Sequence, residues 1–541
     1  MNNFLHIGVL LLYIIGLLMI FAAREKRNIP VVLILSTIIL ACIVNMLYFN
    51  TDAEDTYIAL RYVKNYIHTG QWVFNSFDRV EGYSDFLWLL CIAYIHKITL
   101  IDIPLVARLC GLFFTILSVI YLFYLTKKIT HNDFVSFMAA LFLSINGSFS
   151  CYALSGLENP LFGFLLLSII HAAFLRLWWL CGLLVALLFM TRPEGVLMYF
   201  PLFIYIFTQE ESLSSKINKC AKSFAASMVF ILPWFFWKYN FYGYIVPNSL
   251  AAKMGMNPLY QIRIGIFYSI RFLFANQLLL IILFFLLSFI GISIRKFKSY
   301  FGQSGISKFI ICLLVMYFMF YSYSGGDWMP GYRFYASIMP VIFLFLFILW
   351  DEIEKKYFIQ FQFNKLFIFF FIVVGFLHIN TNQDIFRNVR AWDHEVQGLK
   401  YIGKWFKKSL PDTTVVATFP NGAFSYYNEL PTLDVAGLTD NMTGRFGVKQ
   451  KFGRPGHISS NWPYILNKRP QIIAQMGGSG FESSISNKKM NGYNAVSFYF
   501  KNYNNKLGKY VNLLIRSDIA DDIITKLSVK NEIEVVFNEK G

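Results

Sequence analysis

Residues 51–88 read TDAEDTYIALRYVKNYIHTGQWVFNSFDRVEGYSDFLW. This is the first long polar stretch, and it follows two strongly apolar segments. It places Asp52, Glu54 and Asp55 where a membrane helix should end. Such a cluster has two physical explanations. Thr51-x-x-Glu54 has the form of a capping box, and acids near a helix start favour the positive end of its dipole. A partly buried carboxylate can also take the proton from a hydroxyl as a new bond forms. Capping accounts best for Glu54, which leaves Asp55 as the better base candidate and Asp52 as its reserve.

Outward from this stretch, the chain is a polytopic membrane protein by composition. Of 541 residues 56% are hydrophobic and 19% aromatic, whereas soluble domains are about 45–50% apolar. The excess falls in blocks about 20 residues long, enough to cross about 30 Å of hydrocarbon as a helix. Twelve spans are expected, near 3–22, 29–49, 104–126, 134–150, 160–175, 178–190, 195–208, 223–240, 275–294, 309–324, 335–350 and 364–380. The first block has no basic n-region or small-residue cleavage site, so no separate signal peptide is expected. Basic clusters in the connectors Arg24–Arg27, Lys127–Lys128, Lys216–Lys222, Arg295–Lys308 and Asp351–Lys356 then share one side, the cytoplasm by the positive-inside rule. The first loop, 50–103, and everything after about 381 lie outside.

This parity requires that 84–98 does not cross; it is short and ends in His96-Lys97, as an interfacial helix would. Residues 55–68 are a second one, with Ala59, Tyr62, Val63, Tyr66 and Ile67 at helical spacing. The net charge of +17 fits cytoplasmic retention and anionic membrane lipid. No nucleic-acid motif is present, and no such partner is expected. Seven cysteines fall mostly in apolar blocks, with no CxxC or zinc spacing.

The fold class expected is therefore a polytopic all-α membrane domain, 1–380, followed by a soluble α/β domain, 381–541, on the outer face. In the tail, 391–408 reads as a helix and 413–418 as a buried strand, with turns at Asn421-Gly422, Pro455-Gly456 and Gly477-Gly478. There is no P-loop or GxGxxG.

Further ionisable groups punctuate the apolar blocks: Arg192 in TRPEG, Lys253 after Val246-Pro247-Asn248, and Asp327 and Arg333 in GGDWMPGYR. Ionisable residues at membrane helix ends are functional candidates. The three basic ones are either snorkelling anchors or ligands of a phosphate. Asp52, Glu54 and Asp327 are oxygen donors of the kind a divalent cation takes, which leaves metal use open. Asp434, Asp440 and His457 stand out in the tail, as structural residues or as the border of an acceptor groove.

Together these motifs resemble a known group. EDTYIALRYVKN at 54–65 and GQWVFNSFDRVEGYSDFLW at 70–88 resemble the first outer loop of GT-C glycosyltransferases. The group includes the terminal arabinofuranosyltransferases of actinobacterial cell walls and the pilin arabinofuranosyltransferases. SGLENP at 155–160, TRPEG at 191–195, IVPNSLAAK at 245–253, GGDWMPGYRF at 325–334, LDVAGLTD and GRPGH follow in order. The resemblance implies a GT-C enzyme using a polyprenyl-phosphate sugar on the outer face of a bacterial inner membrane. It implies a first-loop acid as base, and the group has Asp where Glu54 stands. It also implies that Arg61, Glu81, Tyr83, Glu158, Asp327 and His457 bind substrate.

The leading reading is an inverting transferase, with D-arabinofuranose as the sugar suggested. Asp55 is the base, Arg192, Lys253 and Arg333 hold the donor phosphate, and the acceptor is a glycan, glycolipid or pilin-type protein. Two alternatives belong to other classes. A transporter or lipid flippase would carry mid-helix charges or repeat-related halves, and the sequence shows neither. An assembly module built on the tail would not require so many spans.

Overall fold

The apolar runs fold as helices whose lengths sort them into two kinds. The computed structural model describes residues 2–24, 29–289, 305–357, 364–453, 455–456, 458–475, 492–500, 510–528 and 533–539. Among these, six helices are long and apolar enough to cross a membrane: Asn3–Arg24, Val31–Phe49, Ile103–Thr130, Leu213–Tyr242, Gly305–Tyr323 and Arg333–Glu352. Pro258–Ala275 and Leu278–Phe284, bent by 72°, make a seventh if counted as one span. Phe86–Thr99, Asp133–Ser144, Asn159–Phe174, Trp178–Thr191 and Pro193–Phe207 are apolar but shorter. A twelve-residue helix such as Asp133–Ser144 rises only about 18 Å. Length and composition thus support six or seven spans in the described residues, where the sequence reading draws twelve.

Two differences have local causes. No helix is drawn from sequence over Pro258–Ala275, because Arg263 and Arg271 interrupt the apolar run; the structure forms one and breaks it at Asn276-Gln277, where Gln277 has φ 52°. The helices expected over 364–380 and 391–408 are one element, Asn364–Ser409. Residues 381–390 contain no Pro or Gly to end it.

The chain divides into two compact units. The first comprises Met1–Thr51, Ala107–Phe236 and Pro258–Val389. In it Asn159–Phe174 packs against both Trp178–Thr191 and Arg333–Tyr357, and Pro258–Ala275 against Gly305–Tyr323. A Cβ on Gly265 would lie 2.0 Å from the Ser322 carbonyl oxygen, and one on Gly182 1.8 Å from that of Ser223. Such close backbone approach is how helices gain contact where no water drives them together. At one end of the unit Arg24 pairs with Glu354, Asn132 donates to Asp351 at 2.9 Å, and Lys355 reaches the Thr130 carbonyl at 2.6 Å. Three of the charged connectors therefore gather there.

The second unit comprises Asp52–Val106, Trp237–Asn257 and Arg390–Gly541. Its strands are β1 Val416–Phe419, β2 Thr432–Asp434, β3 Val448–Lys449, β4 Ser459–Ser460, β5 Ile472–Gln475, β6 Tyr493–Phe500, β7 Tyr510–Arg516 and β8 Ile533–Glu539. Six form a mixed sheet in the order β2-β1-β5-β7-β6-β8, and β3 and β4 pair separately. β1 runs parallel to β2 and β5, and the other pairings are antiparallel. β6, YNAVSFYF, alternates buried and half-buried positions along most of its length, as a strand between two layers does. Ala417, Leu433, Ile465, Ile473 and Leu514 share one core cluster, while Trp405 packs edge-on against Phe498 and Phe500.

The first loop belongs to this unit. The helix expected over 55–68 is Glu54–Thr69, and Thr56–Val63 is buried on all sides rather than on one face. Arg61 accounts for this. Its Nε donates to the Phe74 carbonyl at 2.9 Å; Nη1 donates to the Ser425 carbonyl at 2.7 Å and Thr432 Oγ1 at 3.3 Å; Nη2 donates to the Leu430 carbonyl at 2.7 Å and Asn75 Oδ1 at 3.3 Å. A guanidinium has five N–H donors, and all five are used. Arg61, expected to bind substrate, here clamps the loop to the sheet. Asn75 adds to the clamp by pairing with both the N–H and the C=O of Thr432 on β2. Arg61→Met is expected to cost about 3–5 kcal/mol, the range of a buried polar network broken on one side. A thermal melt of the purified protein checks this; an unchanged midpoint would remove the clamp.

Candidate functional site

The helix carrying the acids starts at Ala53, which makes no side-chain cap. The capping-box reading of Glu54 is therefore corrected. Its carboxylate turns to the tail and accepts the Gly422 N–H. Gly422 permits this approach, since a Cβ there would lie 2.2 Å from the Glu54 carbonyl oxygen. Burial first, and then the Asp55 charge, hold the Glu54 carboxyl well above its ordinary value, against the pull of the Gly422 amide. Asp52 is equally buried, and its Oδ2 accepts from Gln397 at 3.1 Å and from Lys400. Asp55 is the one half-buried member of the three.

The same unit holds a second buried group. Glu81 and the Lys238 ammonium meet at 2.9 Å, both under 5% exposed. Burial raises the Glu81 carboxyl to about 7, with Lys238 opposing. Tyr83 is enclosed by the rings of Tyr62, Trp72, Phe86 and Tyr242, and its hydroxyl shares a hydrogen bond of 3.0 Å with that of Tyr242. Glu81 and Tyr83, expected to bind substrate, thus sit among this unit's own partners. Lys253 ends the short helix Asn248–Lys253 and is half-buried. The Asn248 side chain fixes that helix by donating to the Gly437, Leu438 and Asp440 carbonyls at 2.7–3.1 Å. Asp434 and Asp440 accept from loop amides, Asp434 from Ala436 and Thr439 and Asp440 from Thr443. His457 lies outside the described residues.

In the helical unit, three of the sequence motifs meet. Pro193 holds Arg192 extended and ends the helix Trp178–Thr191. Arg192 Nη1 donates to Glu158 at 2.7 Å and Nε to Glu194 at 2.6 Å, all three nearly buried. Its guanidinium lies 5.2 Å from the Phe334 ring centroid. Asn159, beside Glu158, donates to the Arg333 carbonyl at 2.9 Å and Ser337 Oγ at 2.6 Å. Arg333 in turn pairs with Asp327. Two guanidiniums face three carboxylates, so net charge does not attract an anion here. Any anion must be held by directed N–H donors. Among the described residues no three His, Cys, Asp or Glu side chains gather to hold a metal ion. Asp52, Glu54 and Asp327 each have the separate partner named above.

Two charged partners are absent from the sequence reading. Lys238 has a signal, a lone cation within the aromatic run WFFWKYN. Lys400 has none, since its spacing is that of any amphipathic helix.

Comparison with known structures places this arrangement. ArnT from Cupriavidus metallidurans in the apo state superposes with a TM-score of 0.53 at 10% identity, over 88% of this chain and 97% of that one. The same protein bound to undecaprenyl phosphate gives 0.51 at 10% identity, with the same coverage. The Archaeoglobus fulgidus oligosaccharyltransferase in complex with Zn and sulfate gives 0.50 at 12% identity, over 86% of this chain and 72% of that one. The chain has the GT-C fold. At these identities the likeness is one of fold. A family described as a domain of unknown function, DUF8728, matches residues 387–513, and no curated protein matches the sequence.

Glu81 makes a pH prediction. A carboxyl raised from 4.5 to about 7 binds its proton more tightly folded than unfolded, so its contribution to stability is full below 4.5 and is lost as pH rises through 7. Melts from pH 5 to pH 8 should show stability falling by up to about 3 kcal/mol, and Glu81→Gln should flatten that slope. An equal slope in the variant would place the titration elsewhere.

Proposed function

We propose that this protein is an integral-membrane glycosyltransferase that moves a sugar from a polyprenyl-phosphate donor to a hydroxyl acceptor, with inversion. The observation carrying the reading is the state of the three first-loop acids on a GT-C fold. Asp52 is bound to Lys400, Glu54 is buried on the Gly422 amide with its carboxyl pushed up by burial, and Asp55 is the most accessible of the three. Neighbouring carboxyls in unlike environments are how acid and base roles separate.

In the reaction the acceptor oxygen attacks the anomeric carbon opposite the phosphate, and its proton passes to Asp55. The bond from the anomeric carbon to the phosphate oxygen breaks, and its electron pair leaves with the lipid phosphate. Glu194 and Glu158 take Nε and Nη1 of Arg192, and Nη2 is the donor assigned to the phosphate. Arg333 and Lys253 are assigned to the same anion. Donors already oriented stabilise the charge as it develops.

The bound undecaprenyl phosphate of the ArnT structure supports a lipid-phosphate donor. D-arabinofuranose rests on the sequence motifs, as does the acceptor class: a glycan, a glycolipid or a pilin-type protein. The reading places the enzyme in a bacterial inner membrane, with twelve spans and with the catalytic residues and tail on the periplasmic side.

Asp55→Asn, purified with an unchanged melt, is expected to lose about 10²–10⁴ of its transfer rate from a synthetic lipid donor. Undiminished turnover would take Asp55 out of the role. Arg192→Lys keeps the charge but not the fork. It should lower kcat/KM for the donor about 10- to 100-fold, the worth of one charge-assisted hydrogen bond. An unchanged value would leave Arg192 as a structural ion-pair partner.

A further inference from the structure

Two segments of the sheet-bearing unit, 243–257 and 441–453, expose large apolar side chains side by side. Ile245 is 59% exposed, Met254 60%, Phe446 64%, Val448 73% and Phe452 62%. The segments are laced together. Asn257 N–H donates to the Lys451 carbonyl at 2.9 Å, Lys449 Nζ to the Ala251 carbonyl at 3.0 Å, and the Arg445 guanidinium lies 3.8 Å from the Tyr244 ring centroid. The apolar groups therefore stand on a braced surface rather than a loose loop. Neither segment contains an Asp or Glu, whereas Lys253, Arg445, Lys449 and Lys451 all lie in them. Apolar tips set among cations are the pattern of a surface that enters the headgroup layer of an anionic bilayer. Tyr244 adds an aromatic of the kind enriched at that depth.

Chain connectivity points to the same occupant. Residue 243 follows directly on Leu213–Tyr242, one of the helices long and apolar enough to cross, and residue 257 precedes the bent apolar pair that begins at Pro258. A connector of 15 residues between two such apolar helices has little length with which to leave them.

We propose that 243–257 and 441–453 form a lip that rests in the headgroup layer of an anionic leaflet, with Phe446, Val448 and Ile245 inserted and Lys451 on lipid phosphates. Lys253, in 243–257, is assigned to the donor phosphate and is left out of the lip's lipid contacts; the inserted residues and Lys451 have no part in the transferase reading.

The test uses the full chain in nanodiscs of phosphatidylcholine with or without phosphatidylglycerol. Nitroxides are placed at Phe446→Cys, at Val448→Cys and, as a control in the same unit, at the exposed Asn467→Cys. The signal of labelled unsubstituted protein is subtracted. Collision with oxygen and with a nickel chelate is then measured. At 446 and 448 the oxygen-to-nickel ratio should be several-fold that at 467, and it should fall when phosphatidylglycerol is omitted or Lys451→Glu is added. Equal nickel access at all three sites would overturn the lip. Protection of 446 and 448 from both reagents, the mark of a protein contact, would overturn it too.

Discussion

A single guanidinium organises the sheet-bearing unit. Arg61 sits on a helix more than 350 residues before the strands it serves, and its donors end on carbonyls and side chains of both the first loop and the tail. Without it the Ser425 and Leu430 carbonyls would each keep one donor, the Glu429 N–H and the Thr432 hydroxyl, and lose the charge-assisted one, a cost comparable to losing a hydrogen bond at each. The position of the first-loop acids depends on this clamp. Glu54 meets Gly422 because the helix it opens is fixed against the segment that follows β1.

The helical unit solves a related problem differently. Its polar punctuation, SGLENP, TRPEG and GGDWMPGYRF, becomes a buried ionic cluster in which Arg192 meets Glu158 and Glu194, and Arg333 meets Asp327. Buried pairs of this kind are poor sources of stability, since desolvation takes back most of the attraction. What they do provide is direction, since each guanidinium is held with its N–H donors fixed.

What the sequence made legible follows from physics that acts locally. Hydrophobic block length gave the membrane class, the motifs gave the GT-C fold, and β1 and the helix Glu54–Thr69 formed close to where periodicity puts them. The reading ran out where partners are distant. Thr51-x-x-Glu54 looks like a cap because Glu54's partner, Gly422, is invisible at short range, and the clamp of Arg61 is hidden because its five acceptors, scattered over 13 to 371 residues, cannot be seen together. Helix counting is least determined at the short elements. Asp133–Ser144 is apolar like a span, but hydropathy alone does not say where a helix stops.

The clamp also sets a schedule for synthesis. Arg61 leaves the ribosome 364 residues before Ser425 and 369 before Leu430. At about 5–20 residues per second that is an interval of roughly 20–70 s. During it the loop has no sheet to dock on, and its charged groups must stay hydrated. The nascent first loop therefore waits, open to proteases and chaperones, until the last third of the chain arrives to complete it.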